Sequence, residues 1–169
     1  MEQIDALNDK ISFATDGSQY LTFCLGDEEY GVEILKVQEI RGYSAITPIP
    51  NTPRYLKGVM NLRGTIVPVV DLRAKFSMAE AEYNQFTVII VVMVGTKVMG
   101  LVVDAVSDVL NIPKTDIQPT PDFGGQVDAE FIEGLAKAGE KLVVLLDIDK
   151  VLGDEELHEL DAPATSANV

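Results

Sequence analysis

Apolar positions along the chain fall in short blocks separated by turn residues, the pattern of strands and not of long helices. "QYLTFCL" and "YGVEI" flank "GDEE", which reads as a hairpin with a Gly-Asp turn, and "VQEI" follows. "TPIPNTPRYLKG" carries Pro48, Pro50 and Pro53 and reads as extended or turn-like chain, because proline lacks the backbone donor that a helix needs. "GVMNLRGTIVPVVDL" supplies two strands meeting at a turn. Pro68 interrupts the second and is expected at a sheet edge or bulge, where its missing N–H does no harm. "DLRAKFSMAEAEY" is the best helix candidate, with good helix formers from Ala79 to Glu82. "FTVIIVVMV" and "VMGLVVDAV" read as strands around "GTK", "PTPDFGGQ" as a loop, "KLVVLLDI" as a strand, and "DKVLGDEELHEL" as closing helical turns. Residues 1–17 read as a flexible polar arm, 18–160 as the folded part, and 161–169 as a disordered tail.

A weak internal repeat organises the blocks. With Gly31 laid on Gly100, "LGDEEYGVEILKVQEI" covers "VGTKVMGLVVDAVSDV", and Glu39 meets Asp108. Further on, "KGVMNLRGTIVPVVDLRAKF" covers "EGLAKAGEKLVVLLDIDKVL", so that Gly58 meets Gly134 and Asp71 meets Asp147. The offset grows between the two matches, which places an insertion at "PTPDFGG". A duplication gives each lobe about five short strands, too many for one flat sheet and suited to two small barrels side by side. "TVIIVVMV" is apolar on both faces, so it must be covered on both, and the lobes are expected to share a core.

The apolar share of 47% suits a globular core. The net charge of -14 repels polyanions and argues against sequence-independent nucleic-acid binding. The N-terminus lacks a basic segment followed by an apolar one, and the run from Val88 to Val94 is far short of the roughly 20 residues that a membrane helix needs. A cytoplasmic protein without membrane insertion is expected. Cys24 stands alone and reads as a small buried hydrophobe, with His158, the sole histidine, far along the chain.

Candidate chemistry is sparse. Asp71 and Asp147 each end an apolar strand, as phosphoacceptor or magnesium-binding aspartates do. The Gly-rich phosphate loop and the alternation of parallel strands with helices that such sites need are absent from the sequence, and capping of the following helix is the better reading. No carboxylate pair, nucleophile motif, or zinc or calcium spacing stands out, so neither an enzyme nor a cofactor or metal site is expected. What remains is a surface for another protein. Glu39 lies inside an apolar strand and Arg63 at a hairpin turn, and their opposite signs invite pairing. The second repeat has "AKAG" where the first has "MNLR", which singles out Asn61 and Arg63.

"FCLGDEEYGV", "ILKVQEIRGY", "PNTPRYLKGVMNLRGTIVPVVDLRAKF" and "GLVVDAVSDVL" together resemble the CheW family, the coupling proteins of bacterial chemotaxis, over roughly Gln19 to Leu160. The resemblance implies a mainly β fold of two five-stranded SH3-like β-barrels around a common core, with short helices. It implies a non-enzymatic scaffold joining the cytoplasmic tips of chemoreceptors to the regulatory domain of the histidine kinase CheA. Carried onto this chain, the receptor groove comprises Ile34, Val37, Glu39, Asn61, Arg63, Val88, Val106 and Val109. A second contact, with neighbouring kinase domains, falls at Gln118 and Phe123. Gln118 stands where some relatives carry a basic residue. A coupling protein of a non-chemotaxis receptor array and an aspartate-based phosphotransfer protein are the alternatives.

Overall fold

The apolar blocks form ten strands that pair into two sheets of five in the computed structural model, which describes residues 2–12, 19–43, 46–51, 54–76, 78, 83–119 and 131–152. The strands are β1 (Gln19–Leu25), β2 (Glu28–Glu33), β3 (Val37–Gly42), β4 (Leu56–Leu62), β5 (Thr65–Asp71), β6 (Val88–Val94), β7 (Lys97–Val103), β8 (Ala105–Asn111), β9 (Ile132–Ala138) and β10 (Lys141–Leu146). Among the described residues, three α-helices accompany them: α1 (Glu2–Ser12), α2 (Leu72–Lys75) and α3 (Ile148–Val151).

The sheet orders are β8-β1-β2-β10-β9 and β3-β6-β7-β5-β4. Replacing each strand of the first order by its counterpart in the other half of the chain gives the second order, so the duplication holds at the level of topology. It holds with an exchange that the repeat alone does not reveal: the β1–β2 hairpin completes the sheet of β8, β9 and β10, and β6–β7 completes that of β3, β4 and β5. Parallel pairs join the borrowed hairpin to its host at matching places, Gly31 opposite Leu145 and Gly100 opposite Val69.

Each sheet curls over its own small core. Met60, Leu62, Val67, Val69, Ile89 and Val91 fill one, and Tyr20, Ala136, Val143 and Leu145 the other. The opposite faces of both sheets meet in a third, larger core. Strand β6 shows why: Ile89 and Val91 point into the small core while Val88, Ile90, Val92 and Val94 point into the shared one. Each such side chain withdrawn from water contributes about 1.5–3 kcal/mol, so a strand apolar on both faces is stable only between two layers. The SH3-like cores are as expected, but the barrels are open: among the described residues no ladder joins β3 to β4 or β8 to β9.

Other expectations change. The N-terminal arm holds a helix, α1, whose Leu7 and Ile11 are buried in the shared core. Of the long helix expected after Asp71, the single turn α2 is described, and residues 79–82, whose composition carried the expectation, lie outside the described residues. Pro68 lies within β5, an interior strand, and not at an edge. It is tolerated because its partner Val59 spends both backbone groups on Thr47, at 2.8 and 2.9 Å, making Val59–Pro68 a non-hydrogen-bonded pair. The proline nitrogen therefore faces β7, whose pairing with β5 begins only at Val69. Cys24 is half-buried, its Sγ 3.4 Å from Ser107 Oγ. Residues 153–169, with His158 and the expected tail, lie outside the described residues, as does Phe123.

Candidate functional site

Strand β3 carries a bulge between Val37 and Glu39, where one extra residue shifts the register against β6. The shift keeps both Val37 and Ile40 in the shared core and turns Glu39 to the other face, opposite Val91. Across the open seam of the same sheet, the β4–β5 hairpin turns through Arg63 and Gly64, both with positive φ, the geometry of a type I′ turn. Asn61 Oδ1 accepts the Gly64 N–H at 2.8 Å and fixes that turn. The turn aims Arg63 back over the seam, where its Nη2 lies 2.8 Å from Glu39 Oε1. Arg41 Nη1 stands 4.0 Å from the other oxygen. The Arg63–Glu39 contact is a close ion pair without hydrogen-bond alignment, since Glu39 Oε1 is buried and accepts no hydrogen bond.

Magnitudes decide how to read this pair. Arg63 has φ of 48°, a left-handed conformation that costs a non-glycine residue about 1–2 kcal/mol. Its side chain is 67% exposed, and exposed ion pairs return only about 0–1 kcal/mol. Folding alone gives little reason to place an arginine there.

The other sheet meets the same need by another route. Asp108 on β8 matches Glu39, but its hairpin supplies Gly139 where Arg63 would stand. The cation comes instead from α1: Lys10 Nζ lies 3.1 Å from Asp108 Oδ1. The Val109 N–H, then Lys10, hold the Asp108 carboxyl below the usual carboxylate range against its partial burial. Helix α1 thus bridges the edges β3 and β8. Asn8 donates to the Ile40 carbonyl at 3.0 Å and accepts the Ile40 N–H at 2.8 Å, completing the edge of β3 as a neighbouring strand would. Beyond the helix opens a cleft of about 780 Å³, lined among others by Ile4, Tyr43, Phe86, Val88 and Val106. Phe86 is 61% exposed, and the Tyr43 and Tyr83 ring centroids lie 4.4 Å apart with the rings tilted by 51°.

The residues read from sequence therefore divide. Glu39 and Arg63 meet, and Asn61 supports them. Val106 and Val109 lie half-buried on β8 against the shared core. Ile34, Val37 and Val88 are within that core, at most 5% exposed, and form the floor beneath the surface residues. Gln118 is exposed beside β9, its backbone bridged to Leu135. Asp71 is a helix cap: Oδ1 accepts the Arg73 N–H at 2.9 Å and Oδ2 the Tyr83 hydroxyl at 2.6 Å. Asp147 caps α3 in the same manner. Sequence reasoning missed α1. The signal was present in Ile4, Leu7 and Ile11, spaced as one helical face, but only three apolar residues carry it.

Comparison with known proteins places this arrangement. The CheW-like domain family matches residues 19–156, which takes in both sheets and the seam. The chain belongs to the CheW-like family. It is 48% identical over 157 residues to a chemotaxis protein CheW of Klebsiella aerogenes, covering 93% of this chain and 95% of that one. A chemotaxis protein CheW of Rhizobium meliloti is 42% identical over 140 residues, 83% of this chain and 90% of its own. Among solved structures, the crystal structure of the scaffolding protein TtCheW from Thermoanaerobacter tengcongensis matches with a TM-score of 0.76 and 33% identity, covering 83% of this chain and 91% of that chain. The exchanged sheets are thus the CheW-like fold. No helix among the described residues is long and apolar enough to cross a membrane.

Proposed function

We propose that the protein is a non-enzymatic adaptor that couples chemoreceptors to the histidine kinase CheA, working in the cytoplasm at membrane-bound receptor arrays. Membership of the CheW-like family and relatives named as chemotaxis proteins support the reading. The receptor's helical tip docks along the edges of β3 and β8 that α1 bridges. Glu39, Arg63, Val106 and Val109 meet it, Asn61 holds the turn, and Ile34, Val37 and Val88 make the floor. An amphipathic helix gains from apolar burial there, and the charges set its register. The kinase's regulatory domain binds elsewhere, with a second array contact at Gln118 and Phe123. A signal passes as a shift in the packing or populations of the three partners, with no bond made or broken.

The observation that carries this reading is Arg63, held in a costly backbone conformation and mostly exposed, where the other half of the chain has glycine. Full occupation of Asp71 by its cap and by Tyr83 counts against phosphotransfer. The test is a titration of wild-type and Arg63→Asp proteins with a receptor cytoplasmic fragment and with the purified kinase. Charge reversal beside Glu39 is expected to weaken receptor binding about tenfold or more, with a much smaller change in thermal stability. Loss of stability in step with loss of binding would make Arg63 a folding residue.

A further inference from the structure

The helix α1 lies on the surface that the receptor helix is proposed to use. Its apolar face packs Ile4, Leu7 and Ile11 against the cluster that contains Val37, Ile40, Val106 and Val109. Asn8 answers both free backbone groups of Ile40 on the β3 edge, and Lys10 answers Asp108 on the β8 edge. These three kinds of contact, apolar stripe, carboxamide to a strand edge, and cation to a carboxylate, are those by which any helix would be recognised in this groove.

We propose that α1 is an internal stand-in for the partner helix and competes with it for the groove. The groove then takes a helix with apolar residues at i, i+3 and i+7 and a side-chain carboxamide at i+4, and a basic residue at i+6 strengthens it. The proposal rests on the reading of the groove as the receptor site and adds the pattern of the helix it accepts. A helix of 11 residues is marginal in water, so α1 is helical because it is docked. Being part of the same chain, it holds the groove at a high effective concentration, and a partner must match its contacts to displace it. The buried Ile40 donor and acceptor enforce the match, because a purely apolar intruder leaves both unpaired.

Amide exchange on the full chain, with and without a chemoreceptor cytoplasmic-tip fragment, tests this. On binding, residues 2–12 should lose protection while the Ile40 amide keeps it. Full-length Asn8→Ala and Leu7→Ser/Ile11→Ser variants should bind the fragment about tenfold more tightly, because the open groove is more populated. Asn8→Ala leaves the apolar packing in place and serves if the double variant folds poorly. Binding with residues 2–12 still protected, or affinity unchanged or weakened in the variants, overturns the proposal and makes α1 a fixed wall of the site. A labelled peptide of residues 1–13 separates this from failure of the receptor reading. If the variants bind the peptide but not the tip fragment, the groove takes such a helix and the receptor reading falls. If they bind neither, both fall.

Discussion

At the turn of the hairpin β4–β5 stands Arg63 with φ of 48°, and at the matching turn of β9–β10 stands Gly139 with φ of 66°. Both hairpins need a left-handed residue there. Glycine adopts that conformation without steric cost, and nothing lies within 4 Å of a Cβ placed on Gly139, so space is not what selects glycine. The arginine accepts strain in order to put a cation over Glu39. In the other sheet the corresponding carboxylate, Asp108, receives its cation from Lys10 of α1. A duplicated unit has thus diverged at one turn and one acid: the acid of one sheet meets a cation from its own hairpin, that of the other a cation from an added helix. The seam bridged by the hairpin leaves its arginine mostly in solvent, where a partner can reach it.

The comparison can be broken most severely at the paired glycines Gly58 and Gly134. A Cβ on Gly58 would lie 2.1 Å from the Thr47 carbonyl oxygen, at φ of 146°, whereas on Gly134 the nearest atom is the Ile117 Cγ2 at 2.4 Å and the nearest backbone atom, the Gln118 carbonyl oxygen, is 2.9 Å away. Backbone yields less readily than a side-chain methyl. Gly58→Ala should therefore cost about 3 kcal/mol or more, and Gly134→Ala measurably less, in urea midpoints. The reverse order would show that the two loops are not packed as equivalents.

A smaller and more informative effect comes from exchanging the turn residues. Arg63→Gly should raise stability by about 0.5–1 kcal/mol in denaturant unfolding while weakening receptor-fragment binding in calorimetry. Gly139→Arg should cost about 1 kcal/mol without improving that binding, since its nearest matched acid already has Lys10. If Arg63→Gly lowers stability, the ion pair with Glu39 outweighs the strain, and folding alone accounts for Arg63.

The gentlest test lies at Lys57 and Glu133, which also occupy matching places. Lys57 lies over the Tyr83 ring, whereas Glu133 accepts the Tyr20 hydroxyl at 3.1 Å. Burial, then the nearby Glu33 carboxylate, push the Glu133 carboxyl above the usual range. A raised carboxyl binds its proton more tightly in the folded state. Its contribution is full at acid pH and is lost as pH rises past the ordinary glutamate range. Glu133→Gln should flatten that loss and raise the neutral-pH melting temperature by about 1–2 °C, solvent screening keeping the effect small. An unchanged pH profile would show that Glu133 is not perturbed.

Much of the fold was legible in the sequence because strand blocks and turns are local. "TVIIVVMV" announced a strand covered on both faces, and Asp71 and Asp147 announced helix caps, since each signal needs only neighbouring residues. Arg63 stood out by alignment with glycine. The helix α1 was hidden by its polar majority, which is reasonable only for a helix that buries a single narrow face. Pro68 was misplaced because its tolerance depends on how Val59 spends its hydrogen bonds on Thr47, a remote segment.

The sequence by itself determined the strands, the positions of the turns, the duplication and the demand for a shared core. It did not determine which strands pair. Only the tertiary structure decided that each half lends its first hairpin to the other, that Glu39 and Arg63 meet across an open seam, and that α1 fills the groove between β3 and β8. The reason is physical. Period and turn chemistry act over a few residues, whereas edge-to-edge pairing is chosen by the burial that the whole chain can achieve once distant segments come together.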